Sequence, residues 1–342
     1  MSMTSLERVL LALQGKPQPS PPYTFTLSLY GARLIGCPLS EYYRRPERYL
    51  EGQEAVIELC RPDIVFSPFA LTLEAEAFGS ELKFLPDNPP NTRKPAVRSA
   101  DDFIRLPLPD VDSHPSLLYL RESTRLLASR YRGDRAICGV VTASVDLPAM
   151  VMGIDQWIET LLFAPEKAVT ILEKTHCHFV ALANALLADG ANFIALPTMF
   201  TNPQLLYPQL IDEVILPAFA RSLTEVNGPI VFHHGGNPMV PSLGDYLALP
   251  NVAAYAVDHR DSLAEARRIL GPDRLLLGNL NGPALSRMSL DTVLTKVAQI
   301  LDDRRSDPCF IFATSGADVP FDTPPALLQA ISAKIQSFSG AA

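Results

Sequence analysis

IVFHHGGNP, residues 230–238, begins as a buried strand and stops being one within four residues. Ile230, Val231 and Phe232 are apolar and strand-forming; two histidines, two glycines, an asparagine and a proline follow. An apolar run that ends in imidazoles, and then in residues without side chains, describes a core strand whose tip faces something polar. Neighbouring side chains on a strand point to opposite faces, so His233 and His234 do not both enter one pocket while the strand stays regular.

The same form recurs along the chain. Short β-rich apolar runs stand at 23–27 (YTFTL), 63–68 (DIVFSP), 136–142 (AICGVVT), 192–197 (NFIALP), 252–258 (VAAYAVD), 274–279 (RLLLGN) and 309–315 (CFIFATS). With 229–234 they make eight. The intervals carry apolar residues every three or four positions, which predicts helices over 40–59, 114–131, 165–190, 202–226, 262–270, 289–303 and 323–338. Thr323 is the expected cap of the last, and Asp261 that of the helix beginning near Ser262. The strand runs are nearly all apolar rather than alternating, as parallel strands covered on both faces must be. Eight β–α repeats predict a closed (β/α)8 TIM barrel, one domain over 1–342, with a short amphipathic helix ahead of it. The rival, a doubly wound open sheet, announces itself by a glycine-rich phosphate loop after the first strand; YTFTLSLYGARL (23–34) has one glycine. The interval after the second strand is too long for one crossover, and 69–110 is expected to form a lid or rim over the C-terminal face.

Composition narrows the function. The chain has 342 residues, 47% hydrophobic and 19% charged, the profile of a globular protein with a large core. A net charge of −8 with no Lys/Arg-rich block excludes nucleic acid as a natural partner. No apolar run is long enough to span a bilayer, and MSMTSLERVLLALQGKP lacks the apolar stretch of a signal peptide, so no membrane partner is expected. Five scattered cysteines (Cys37, Cys60, Cys138, Cys177, Cys309) without a CxxC pair read as packing thiols in a reducing cytoplasm.

In a barrel of this kind the C-terminal strand tips and following loops make the active face. His233, His234 and Asp258 are the candidate catalytic residues. Tyr30, Thr142, Asn237, His259, Asn279, Asn281 and Ser315 are candidate substrate-binding residues. Glu74, Glu76, Ser144, Asp146, Thr198, Arg260 and Asp318 stand at or just beyond strand ends as well. A catalytic zinc site wants three converging protein ligands. No cysteine falls at these tips, so no metal is expected; if one binds, His233 with His234 or His259 would hold it. His176 and His178, two apart in a helix, lie about 200° apart around its axis and cannot share a metal. GxSxG, P-loop and HExxH patterns are absent.

SLERVLLALQGKP (5–17), LEAEAFGSELKF (73–84), GVVTASVDLPAMVMGIDQW (139–157), FHHGGN (232–237), YAVDHRDSLAEARRILG (255–271), GNLNGP (278–283) and SGADVPFDTPPALLQAI (315–331) together resemble the uroporphyrinogen decarboxylase superfamily, within it the corrinoid-linked, methylcobalamin:coenzyme M-like methyltransferases. The resemblance implies a (β/α)8 barrel and methyl transfer between a small donor or acceptor and a corrinoid (methylcobalamin) carried by a separate protein. It also implies a homodimer. In the thiol methyltransferases a His-x-Cys at the fifth strand and a Cys at the eighth bind zinc. Here His233 matches the histidine, but the cysteine positions hold Gly235 and Ala317. True uroporphyrinogen decarboxylases carry an arginine-rich N-terminal stretch; 23–34 has only Arg33. The resemblance therefore implies corrinoid-linked methyl transfer without the usual zinc–thiolate site. The alternatives are a metal-free tetrapyrrole-type decarboxylase and a non-catalytic corrinoid or tetrapyrrole binder.

Overall fold

The apolar runs form eight strands: β1 (Tyr23–Thr24), β2 (Ile64–Phe66), β3 (Ala136–Val140), β4 (Phe193–Pro197), β5 (Ile230–His233), β6 (Val252–Ala256), β7 (Leu275–Asn281) and β8 (Phe310–Ser315). The computed structural model describes residues 3–233 and 235–339. All seven ladders are parallel, in the order β1-β8-β7-β6-β5-β4-β3-β2. The ring closes through Asp63, whose N–H donates to Tyr23 O (2.8 Å) and whose carboxylate accepts the Tyr23 N–H (2.9 Å). Thr24 Oγ1 adds a bond to Ile64 O (2.9 Å) across the same seam. The fold is the (β/α)8 TIM barrel.

Alternation within each strand separates two cores. Cys138, Val140, Ala195, Val231, Ala254, Ala256, Leu277, Ile311 and Ala313 fill the barrel interior. Ile137, Ile194, Phe232, Tyr255 and Phe312 point outward and pack under the helices. Phe232 shows the outer layer at work: it meets Phe219 edge-on (5.6 Å between centroids) and lies tilted against Tyr246 (4.6 Å), a burial worth roughly 2–3 kcal/mol. The amino-terminal helix Ser5–Leu13 is started by a reciprocal cap between Thr4 and Glu7, and its Val9 and Ala12 are buried with the interior set. It stoppers the N-terminal end of the barrel.

Differences from the sequence reading have local causes. The first strand shortens to two residues because Thr26 N–H donates to Thr314 Oγ1 (2.8 Å) rather than to a backbone carbonyl. The helix expected over 40–59 divides into Leu39–Tyr42 and Pro46–Cys60 at Pro46, which has no N–H to give. The helix expected over 202–226 begins at Pro208 and widens into a π-turn at Ile211–Ile215, just ahead of Pro217. The last helix runs Pro325–Gln336 with Pro324 at its cap, so Thr323 does not cap it.

After β2, Phe69 reaches the mouth. From Thr72 on, the excursion forms a helix (Thr72–Ala77), a hairpin (Glu81–Lys83 with Asn91–Lys94) and a helix (Ala100–Arg105). The last is tied to the outer helix Pro165–Ala188 by Lys174 Nζ to Ile104 O (2.7 Å) and Lys167 to Asp101 (2.8 Å). The excursion meets the mouth at its beginning and continues as outer packing. No helix among the described residues is long and apolar enough to cross a membrane.

Candidate active site

Val231 faces the interior and Phe232 faces out, so the pleat turns His233 back toward the barrel axis. Its neighbours in register are Pro197 on β4 and Ala256 on β6, both compact, which leaves room beside the ring. Phe69 meets the imidazole edge-on, 6.4 Å between centroids. The Gly235 N–H donates to His233 Nδ1 (3.0 Å), which places the proton of the neutral ring on Nε2. The His233 carbonyl accepts from both Thr198 N (3.0 Å) and Thr198 Oγ1 (3.1 Å). His234 lies outside the described residues.

Gly235 makes this geometry possible. Its φ of +61° is left-handed, and a β-carbon there would stand 2.2 Å from Thr198 O. Gly236, at φ +94°, has open space around it.

At the tip of β6, Asp258 is almost fully buried. Its Oδ1 accepts from Arg260 N (3.0 Å) and Arg260 Nε (2.5 Å), and His259 Nδ1 lies 3.3 Å away. Arg260 continues to Gly236 O (2.7 Å), joining the β6 tip to the β5 loop. From β7, Asn279 Nδ2 donates to Asp258 O and Asp261 O, both at 2.9 Å. His233, Asp258, His259 and Asn279 thus stand on three consecutive strand tips.

Other acids at the mouth are braces, which sequence reasoning did not separate from ligand-facing acids. Asp146, beyond β3, accepts from the backbone N–H groups of Met199, Phe200 (3.2 Å) and Thr201 (2.8 Å) and from the Thr201 hydroxyl. Burial pushes this carboxyl above its ordinary range while those four donors pull it back. Asp261 accepts from Met239 N (2.8 Å), Val240 N (3.1 Å) and Asp258 N (3.0 Å). It does not cap the following helix; Ser262 does, accepting from Glu265 N. Glu74 takes Thr142 N and Thr142 Oγ1, both at 2.7 Å, on one oxygen and His178 Nε2 (3.2 Å) on the other. Asp318 differs: Oδ1 accepts from Leu29 N (3.0 Å), while Oδ2 is buried with no hydrogen-bond partner. Burial pushes this carboxyl up to about 7.

Several candidate ligand contacts are otherwise engaged. Tyr30 is fully buried, its hydroxyl on Thr323 O (2.5 Å). Thr142 is buried and spent on Glu74. Asn281 caps the turn Gly282–Arg287 through Ala284 N (3.2 Å). Asn237 donates to Met199 O (3.3 Å) and lines a small cleft with the outward-facing Phe232. Ser315 is buried, its hydroxyl without a partner. His176 bonds Ser222 (3.2 Å) and Glu225 (3.3 Å), while His178 turns to Glu74 on another face of the same helix, so the two share no site.

Among the described residues the donors do not make the usual zinc set. The two positions at which a thiolate would complete a His-x-Cys and Cys set are Gly235 and Ala317. His233 Nδ1 is engaged by Gly235, and among the described residues no three His, Cys, Asp or Glu side chains gather as a metal site.

Comparison with known proteins agrees with this architecture. The family described as uroporphyrinogen decarboxylase (URO-D) matches residues 4–338. The methylcobamide:CoM methyltransferase MtaA of Methanosarcina barkeri is 23% identical over 284 residues, 81% of this chain and 82% of the relative. The uroporphyrinogen decarboxylase of Geobacter metallireducens is 24% identical over 338 residues, 93% of this chain and 94% of the relative. A solved methyltransferase from Methanosarcina mazei superposes with a TM-score of 0.85 at 19% identity, over 98% of this chain and 99% of that one. At that identity the likeness is one of fold.

Proposed function

The chain belongs to the uroporphyrinogen decarboxylase family, and from that membership we propose that it is a methyltransferase moving a methyl group between a small donor and a corrinoid substrate carried by a separate protein. The observation that carries this choice over decarboxylation is the engagement of the arginines. Arg33 donates to the backbone carbonyls of Phe321 and Thr323, and Arg260 is bound to Asp258 and Gly236 O. A polycarboxylate tetrapyrrole needs several cations free to replace its hydration, and these two guanidiniums are holding the rim instead. The similarity to a methylcobamide:CoM methyltransferase over four-fifths of both chains supports the same reading.

In this reading the electron pair of cobalt(I) forms the new bond to the methyl carbon, cobalt rises to cobalt(III), and the carbon–donor bond breaks so that the donor atom keeps its electron pair and needs a proton. His233, or else His234, is the candidate acid in its imidazolium form, which His233 reaches by giving up the Gly235 bond at Nδ1; in its neutral form His233 presents Nε2–H to the axis as a hydrogen-bond donor. Asp258 orients His259 and Arg260 at the rim, and Asn279 fixes the Asp258 backbone. Asn237, Asn281, Thr142 and Tyr30 hold the loops at the strand tips through the bonds described above, and Ser315 keeps a buried hydroxyl without a partner. No step passes through zinc.

Separate anaerobic assays with methylcob(III)alamin and cob(I)alamin, each against a panel of methyl donors and acceptors, test the proposal by corrin absorbance. A spectral change that requires the protein supports it. A flat trace with every pair, together with carbon dioxide release from a porphyrinogen, replaces it with the decarboxylase.

A further inference from the structure

We infer that Asp146 is a positioning residue for His233, acting across the intervening strand through the turn 198–201; the inference rests on the reading of His233 as the acid. Asp146 follows β3, and β4 separates it from β5. It is fully buried and its two oxygens take four donors, all from Met199 to Thr201. That turn touches the imidazole-bearing strand at two points. Thr198 donates twice to the His233 carbonyl, and Thr198 O lies beneath Gly235, whose N–H holds His233 Nδ1. Moving the turn therefore moves both the backbone of His233 and the donor that sets its tautomer. Asn237 adds a third tie, from the loop beyond β5 back to Met199 O. A buried carboxylate is a costly way to hold a turn, and its partners must all be kept for it to persist. Here the fixed turn has the imidazole at its other end.

The test reads the imidazole directly, without turnover. Wild type, Asp146→Asn and Thr201→Val are prepared with isotope-labelled histidine, and nitrogen NMR follows tautomer and titration. The His233 signal is assigned by its loss in His233→Gln. In Asp146→Asn one acceptor oxygen becomes an amide that itself faces N–H donors. The expected result is a His233 signal held as the Nε2–H tautomer in wild type, and a mixture of tautomers with a shifted titration midpoint in Asp146→Asn. Thr201→Val, which removes one donor and spares the backbone set, should shift the same signal less. If Asp146→Asn does not fold, Thr201→Val decides. A folded variant whose His233 tautomer and midpoint match wild type overturns the inference, leaving Asp146 as a brace for the turn alone. Because the readout does not depend on methyl transfer, failure of the proposed function and failure of this inference are separate results.

Discussion

Gly235 lies so close to Thr198 that a β-carbon on the glycine would stand 2.2 Å from the threonine carbonyl oxygen, 2.4 Å from its carbon and 2.8 Å from Met199 N. All three atoms are backbone, so no side chain can swing aside. Gly235→Ala should cost about 3 kcal/mol or more, combining overlap with the left-handed φ. Gly236→Ala shares the positive φ but meets nothing within 4 Å, and should cost only about 1 kcal/mol. Urea unfolding of the two variants checks the difference; equal losses would mean that the contact with Thr198 is not tight.

The same contact bears on metal. Gly235→Cys should lose stability without acquiring zinc, since its β-carbon has nowhere to go. Zinc loading of the wild type should leave the metal content sub-stoichiometric, and a chelator should leave the melting temperature unchanged. Stoichiometric zinc that disappears in His233→Ala, measured by elemental analysis, would overturn the reading of the donor set.

His233→Ala should lower methyl transfer by about 10²–10⁴-fold, the usual contribution of a positioned acid, with little change in melting temperature. The ring is half-buried, and alanine keeps the backbone carbonyl through which Thr198 holds this position. Corrin absorbance against time gives the rate, and calorimetry the stability. An unchanged rate would move the acid elsewhere.

Asp318 makes a prediction about pH. Its carboxyl ionises at about 7 in the folded chain against 3.8 in its ordinary state, because burial disfavours the charge. Between those values the folded state holds more protons than the unfolded one, so stability falls as pH rises from about 4 to about 7. At about 1.4 kcal/mol per pH unit, the loss attributable to this residue is at most about 4 kcal/mol. Asp318→Asn keeps an acceptor for Leu29 N and removes the titration. The variant should therefore gain on wild type steadily across this window, and parallel profiles would contradict it.

Glu74→Leu should cost about 3–5 kcal/mol, because Thr142 N, the Thr142 hydroxyl and His178 lose their buried acceptor together. Glu74→Gln retains one acceptor oxygen and should recover part of that loss. Denaturant midpoints for the pair distinguish a brace from a surface acid, whose replacement would be nearly neutral.

The barrel was readable because its signal is local. Each run such as VAAYAVD carries its own apolar character and polar end, and consecutive strands in a barrel are neighbours. That is why His233, Asp258 and Asn279 could be placed at one mouth from spacing alone. What each polar tip does was not readable, because its partners are distant in sequence and are often backbone. Asp146 was visible beyond VVTAS, yet its four donors lie 53–55 residues later, and no side-chain pattern marks a backbone N–H. Thr142 and Tyr30 appeared as free polar groups for the same reason, although Glu74 and the Thr323 carbonyl occupy them. Asp261 was expected to cap the helix that begins near Ser262, but its carboxylate goes to the distant Met239 and Val240 N–H groups and Ser262 caps instead.

The helix wedged into the amino-terminal end, with Val9 and Ala12 against the side chains that fill the interior, leaves the barrel one open end. Traffic cannot run straight through. Under the proposed transfer, donor and corrinoid both come in from the same side and must stand face to face there when the methyl passes.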